Sequence, residues 1–283
     1  MKMLGTLLFL PLHFNPIQTN KDTMQSTPKT KYPFLLLFVS IILCLMPVFR
    51  PQHLDEIRDI DVNSVNLVYK IQGKENAEPV ILLHGNGGEH DHLSIMIDQL
   101  DSAGYLVYAL DSRGQGANAP LEEYHYVDMA EDVYALIQEL DLDKPTLFGW
   151  SDGGNIALQM ELLHPGTAGA IITSGANLFP EGLESNLWTE FSKQKEQDSI
   201  APLVKMMLYE PQMTFSDMQT IQCPALIVAG EYDLIDTAHT RAIAENIPQG
   251  KVLFLPGEDH GSHVYKSPKM GKVIIEYLKE IKY

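Results

Sequence analysis

The chain has 283 residues, and 37 acidic side chains against 20 basic ones give a formal net charge of −17. On a prior of about 100–200 residues per domain, that length makes one large domain after an N-terminal leader, with enough chain for a sizeable core, and the composition is that of a folded protein rather than a disordered one. The charge argues against nucleic acid as a partner, because phosphates need basic patches; it reads as a solvated acidic surface, whose functional counterpart is a mild attraction for cationic substrates.

Residues 1–54 read as the leader. Within it, Pro33 to Phe49 form a continuous apolar run, with Lys29 and Lys31 before it and Arg50 after it. The run sits at the short end of the roughly 17–25 residues that a spanning helix needs. Basic residues on its N-terminal side and the lack of an A-x-A-like cleavage site predict an uncleaved transmembrane helix. The protein is then anchored in a membrane or exported, with its folded domain outside the cytoplasm. A start at Met24 would leave a conventional basic-then-apolar leader, and a misassigned start would place the chain in the cytoplasm. The two cysteines, Cys44 and Cys223, have no neighbours at metal-ligand spacing and suggest no disulfide framework. Cys223 reads as a small core hydrophobe.

The folded domain is expected over 55–283, and from residue 59 the pattern is regular. The stretch 59–73 alternates apolar and polar residues around Asn63 and Ser64, which predicts a β-hairpin. Apolar runs then recur at 79–85, 105–111, 145–151, 169–175, 224–230 and 251–257. Their Val, Ile and Leu content suits parallel strands covered on both faces. Between them lie helical periods. One, over 126–142, puts Val127, Ala130, Val133, Leu136, Ile137 and Leu140 on one stripe. Such alternation predicts an α/β fold with a doubly wound, mostly parallel sheet. The interval between the fourth and fifth runs is far longer than the usual loop of about 4–6 residues. It predicts a helical cap at about 177–222 over the sheet's carboxyl edge.

The chemistry centres on Gly149-Trp150-Ser151-Asp152-Gly153. This G-x-S-x-G lies between an apolar strand and an amphipathic helix, the context of a nucleophile elbow. The turn forces Ser151 into strained dihedrals, and bulky side chains at 149 and 153 would clash across it. A serine needs a base, and the base needs an orienting acid; in this architecture the partners follow in the order Ser, Asp, His. Asp233, just past the strand at 224–230, is the expected acid, with Glu231 and Asp236 as neighbouring loop charges. His260 is the expected base, being nearer the last strand's end than His263, which reads as a loop or pocket residue. The glycine-rich turn 84–88 can aim a backbone N–H inward, so the amides of Asn86 and Asp152 are assigned to an oxyanion hole. His84 reads as structural, holding this loop, and 89–92 as the start of a helix rather than a metal site. Trp150 and Gly85 join Asp152 as expected substrate-binding residues. This chemistry needs no cofactor and no metal, and its partner is a small-molecule ester.

Together the motifs HGNGG (84–88), DSRGQG (111–116), GWSDGG (149–154), GEYD (230–233) and GEDHGSH (257–263) resemble the α/β-hydrolase superfamily from about residue 60 to the end. Within it, GWSDGG and SGANLFPEG (174–182) are similar to the biphenyl hydrolase-like group. That resemblance implies that the Asp152 carboxylate binds the α-amino group of an amino-acid ester; the local alternative is that Asp152 caps the helix beside it. The expected activity is that of a carboxylesterase-like serine hydrolase acting through an acyl-enzyme. The alternatives are a carbon–carbon bond hydrolase or cofactor-free perhydrolase of the same fold, and a non-catalytic ligand-binding member.

Overall fold

The computed structural model describes residues 51–282. Its first element, β1 (His53–Val62), begins two residues before the expected domain start. It pairs antiparallel with β2 (Val65–Lys74), in a register that runs from His53–Lys74 to Val62–Val65. The two-residue turn puts Asn63 and Ser64 at φ of 47° and 64°, the left-handed pair that matches the strand twist in a tight hairpin.

Six parallel strands follow: β3 (Pro79–Leu83), β4 (Leu106–Leu110), β5 (Thr146–Trp150), β6 (Ala170–Ser174), β7 (Ala225–Tyr232) and β8 (Gly250–Asp259). The sheet order is β1-β2-β4-β3-β5-β6-β7-β8, with β2 antiparallel to β4 and every later pairing parallel. Alternate residues of these strands feed two cores. Ile81, Leu83, Leu147, Ile171 and Ile227 face one side, with α2 (Tyr126–Glu139), α3 (Asp152–Leu163) and α7 (Thr237–Asn246). Val80, Leu82, Phe148, Ile172 and Val228 face the other, with α1 (Ser94–Ser102) and α8 (Pro268–Ile281). Each such side chain stabilises the fold by about 1.5–3 kcal/mol when fully buried. Between β6 and β7 the chain forms α4 (Ser185–Ser192), α5 (Pro202–Tyr209) and the short α6 (Phe215–Met218).

Two expectations are corrected here. The stripe on α2 is offset: Val127 is 46% exposed, while Tyr126 and Met129 are buried with Ala130, Val133, Leu136 and Ile137. The expected transmembrane helix is not found either. Among the described residues no helix is long and apolar enough to cross a membrane. α2 and α8 have 14 residues each and are amphipathic, against about 20 apolar residues for a span. The apolar run 33–49 lies outside the described residues.

Candidate active site

The carboxyl ends of β3, β5, β6, β7 and β8 converge, and the segments leaving them carry the polar side chains. Ser151 follows β5 and precedes α3, with φ 54° and ψ −118°, a conformation that costs of order 1–3 kcal/mol for a non-glycine residue. The surroundings hold it there. Its N–H donates to the Ser174 carbonyl at 2.7 Å, and its own carbonyl accepts the N–H of Gly154 at 2.8 Å. A Cβ on Gly149 would lie 2.0 Å from the Gly153 carbonyl oxygen, and one on Gly153 would lie 2.3 Å from that of Leu83. Only glycine lets the strand, the turn and the helix start approach this closely.

The structure brings Ser151, Asp233 and His260 together. Ser151 Oγ lies 2.9 Å from His260 Nε2, and His260 Nδ1 lies 2.7 Å from Asp233 Oδ1. An ionised carboxylate only accepts, so Nδ1 carries the proton and Nε2 faces the serine hydroxyl as an acceptor. The Asp233 side chain is nearly inaccessible. It also receives the N–H groups of Gly230 and Ile235, each at 3.1 Å. Burial pushes its carboxyl up, but the hydrogen bond and charge of His260, with those two N–H donors, outweigh burial and hold it below the usual carboxylate range. Gly175, at φ 66°, passes beneath the imidazole, where a Cβ would come within 2.6 Å of His260 Cε1. Trp150 donates its indole N–H to the His260 carbonyl at 2.8 Å.

The neighbouring carboxylates act elsewhere. Glu231 accepts the Gly257 N–H at 2.8 Å. Asp236 caps α7 by accepting the His239 N–H at 3.0 Å. His263 lies in the turn between β8 and α8, but that turn is folded inward: the side chain is fully buried and shares a 2.6 Å hydrogen bond with Ser174 Oγ, and burial pushes its pKa down. His84 holds its loop as expected, bonded through Nδ1 to the Gly85 carbonyl at 2.7 Å and accepting the Ser112 N–H at Nε2 at 3.0 Å. Residues 90–93 form a 3₁₀ turn leading into α1. Among the described residues no cluster of three or more His, Cys, Asp or Glu side chains could hold a metal ion.

Asn86 and Asp152 lie together beside Ser151. Among the described residues neither backbone N–H meets a protein acceptor. The Asp152 side chain does not cap α3. Its Oδ1 accepts the Tyr126 hydroxyl at 2.7 Å and its Oδ2 accepts Asn86 Nδ2 at 2.8 Å. Burial raises this carboxyl, against the lowering pull of Tyr126, Asn86 and the charge of His260.

Ser151, Asp152 and His260 line a cavity of about 240 Å³, walled by Leu187, Phe191 and Met207 from the helices after β6 and by Tyr126, Asn177 and Glu210. Trp150 and Gly85, the other expected substrate-binding residues, are not among its lining residues. Trp150 sits behind His260, and Gly85 backs against Ser151 Cβ. Tyr126 and Glu210 escaped the sequence reading. Tyr126 stands one residue from the stripe assigned to α2, and a one-position shift of that stripe would have found it.

The comparisons with known proteins agree with this architecture. A family model described as the alpha/beta hydrolase fold matches residues 78–199. The human "Serine hydrolase BPHL" is 26% identical over 251 residues, covering 78% of this chain and 85% of that protein. Among solved structures, the enol-lactonase from Burkholderia xenovorans superposes with a TM-score of 0.67 at 17% identity, over 78% of this chain and all of that one. A carboxylesterase structure from the thaumarchaeon Nitrososphaera gargenis superposes with a TM-score of 0.66 at 20% identity, over 80% of this chain and 99% of that one.

Proposed function

The chain has the α/β-hydrolase fold and hydrolase relatives, and from that premise we propose that it is a serine hydrolase cleaving small carboxylic esters through an acyl-enzyme on Ser151. The observation that carries this reading is the unbroken hydrogen-bonded line Ser151–His260–Asp233 at the wall of an apolar cavity. Ser151 Oγ attacks the ester carbonyl as its proton passes to His260 Nε2, and Asp233 stabilises the imidazolium that forms. The carbonyl oxygen, now negative, turns to the N–H groups of Asn86 and Asp152 at the start of α3, where the helix dipole favours it. Collapse breaks the bond to the alkoxide, which leaves with the proton from His260. A water then repeats the sequence on the acyl-enzyme, giving the free acid and restoring Ser151.

The cavity volume supports a short acyl or alcohol group, since drug-sized ligands occupy roughly 300–1,000 Å³. Two carboxylates, Asp152 and Glu210, line it without a lysine or arginine, which supports an ester bearing an ammonium group. Hydrolysis of p-nitrophenyl esters of increasing chain length, with and without an α-amino group, tests both points. Turnover of short esters, faster with the amino group, is expected. Failure to turn over any ester would refute the assignment.

A further inference from the structure

Asn86 and Asp152 share more than proximity to Ser151. Asn86 stands on the turn after β3 and Asp152 at the start of α3, two segments with no covalent reason to keep register. Their side chains join at 2.8 Å, Asn86 Nδ2 donating to Asp152 Oδ2. The other carboxylate oxygen takes the hydroxyl of Tyr126, the first residue of α2. Tyr126 is 2% exposed and Asp152 4%, so this contact is shielded from water. The Tyr126 backbone N–H in turn donates to Glu210 at 3.0 Å, just beyond α5.

We propose that the side chains of Asn86 and Tyr126 are positioning residues for the oxyanion hole: by gripping the Asp152 carboxylate from two sides they fix the spacing and direction of the Asn86 and Asp152 backbone N–H groups. The proposal rests on the reading of Ser151 as nucleophile and of those amides as the oxyanion donors. Two physical effects support it. A donor displaced by about 1 Å can cost on the order of a hundredfold in rate, and among the described residues neither amide has a protein acceptor to set its direction. The turn holding Asn86 therefore needs an anchor, and its side chain supplies one. The second effect is electrostatic. A bare carboxylate next to a developing oxyanion would repel it, and in a site shielded from water that repulsion is weakly screened. The Nδ2–H and O–H donors, with the N-terminal dipole of α3, draw the negative charge of Asp152 away from the hole. One pair of hydrogen bonds thus sets the geometry of the donors and quenches a charge that would oppose them.

The test uses the full-length chain with Asn86→Ala, Tyr126→Phe and both together, none of which alters a backbone amide. Each protein is assayed for kcat and KM on a p-nitrophenyl ester, for inhibition by a trifluoromethyl ketone that forms the tetrahedral adduct, and for inhibition by the product acid. Asn86→Ala should lower kcat about tenfold to a hundredfold, weaken the ketone by a similar factor, and leave KM and product inhibition close to those of the parent. Tyr126→Phe keeps the ring in the core and should cost less. The double variant should lose less than the product of the two single losses, because both act through Asp152. Unchanged kcat and ketone affinity in Asn86→Ala would overturn the proposal, and so would equal weakening of ketone and product acid. Fluorophosphonate labelling of the parent separates this outcome from a failure of the nucleophile reading: a labelled, active parent leaves that reading intact, whereas an unlabelled parent overturns both.

Discussion

Trp150 donates its indole N–H to the carbonyl of His260 at 2.8 Å, so the residue before the elbow serine fastens the loop that carries the histidine. The two rings lie 6.3 Å apart between centroids, and a Cβ on Gly261 would come within 3.2 Å of the indole. Trp150→Phe keeps most of the apolar contact and removes the donor. The expected result is a fall in kcat of about fivefold to thirtyfold, since one buried hydrogen bond contributes about 1–2 kcal/mol, with KM little changed. Steady-state kinetics check it. A rise in KM alone would return Trp150 to the substrate-binding surface.

Asp233→Asn should keep the fold, since the amide oxygen can still accept the Ile235 or Gly230 N–H groups. It removes the charge that stabilises the imidazolium and the acceptor that fixes the Nδ1 proton. A loss of kcat on the order of 10³–10⁴-fold is expected. Circular dichroism at neutral pH should match the parent. Substitution of Glu231 or Asp236 by the corresponding amide should cost far less, because those carboxylates bond to Gly257 and to the start of α7.

His239 makes an acid-stability prediction. It is buried, its Nε2 accepts the Leu178 N–H at 3.0 Å, and burial pushes its pKa down from 6.5 to about 4. A histidine whose folded pKa lies below its unfolded one stabilises the fold when neutral. That contribution is complete above about pH 6.5 and is lost as the pH falls toward 4. The loss is roughly 3 kcal/mol by linkage. His84 and His263 are shifted in the same direction and steepen the decline. Urea midpoints measured between pH 7 and 4 should fall, and His239→Gln should flatten part of that slope. An unchanged slope in the variant would contradict this assignment.

Asp152→Asn tests the charge in the cavity. On an α-amino ester the variant should lose about tenfold to a hundredfold in kcat/KM, the scale of one charge-assisted contact. The des-amino analogue should lose less, through the weakened grip on Asn86 and Tyr126 alone. Equal losses on both substrates would remove the ammonium reading and leave the hydrogen bonds with Asn86 and Tyr126 as the carboxylate's role.

Much of this was legible because short-range physics wrote it into the chain. The hairpin at Asn63–Ser64, the buried strands and the elbow at Ser151 follow from alternation, apolar runs and glycine spacing. The order along the chain then brought Asp233 and His260 to the ends of β7 and β8. What escaped depends on tertiary direction. Asp152 has the local chemistry of a helix cap, but its side chain meets the Tyr126 hydroxyl and Asn86 from distant segments. His263 sits in a polar loop sequence, yet the turn after β8 folds it under Ser174. Val127 fits the helical stripe numerically, while the packing of α2 on α3 buries Tyr126 and Met129 instead. The walls of the cavity, Leu187, Phe191 and Met207, fall within the expected helical cap but could not be singled out, because periodicity cannot say which face of a helix covers a site.

The most direct measurement is intact mass and peptide mapping after brief reaction with a p-nitrophenyl ester and acid quench, on the parent and on Ser151→Ala. An adduct of the acyl mass is expected on the peptide containing Ser151 in the parent, with no adduct and almost no turnover in the variant, whose fold is unchanged. An adduct on another residue, or a Ser151→Ala variant that keeps most of the esterase rate, would contradict it.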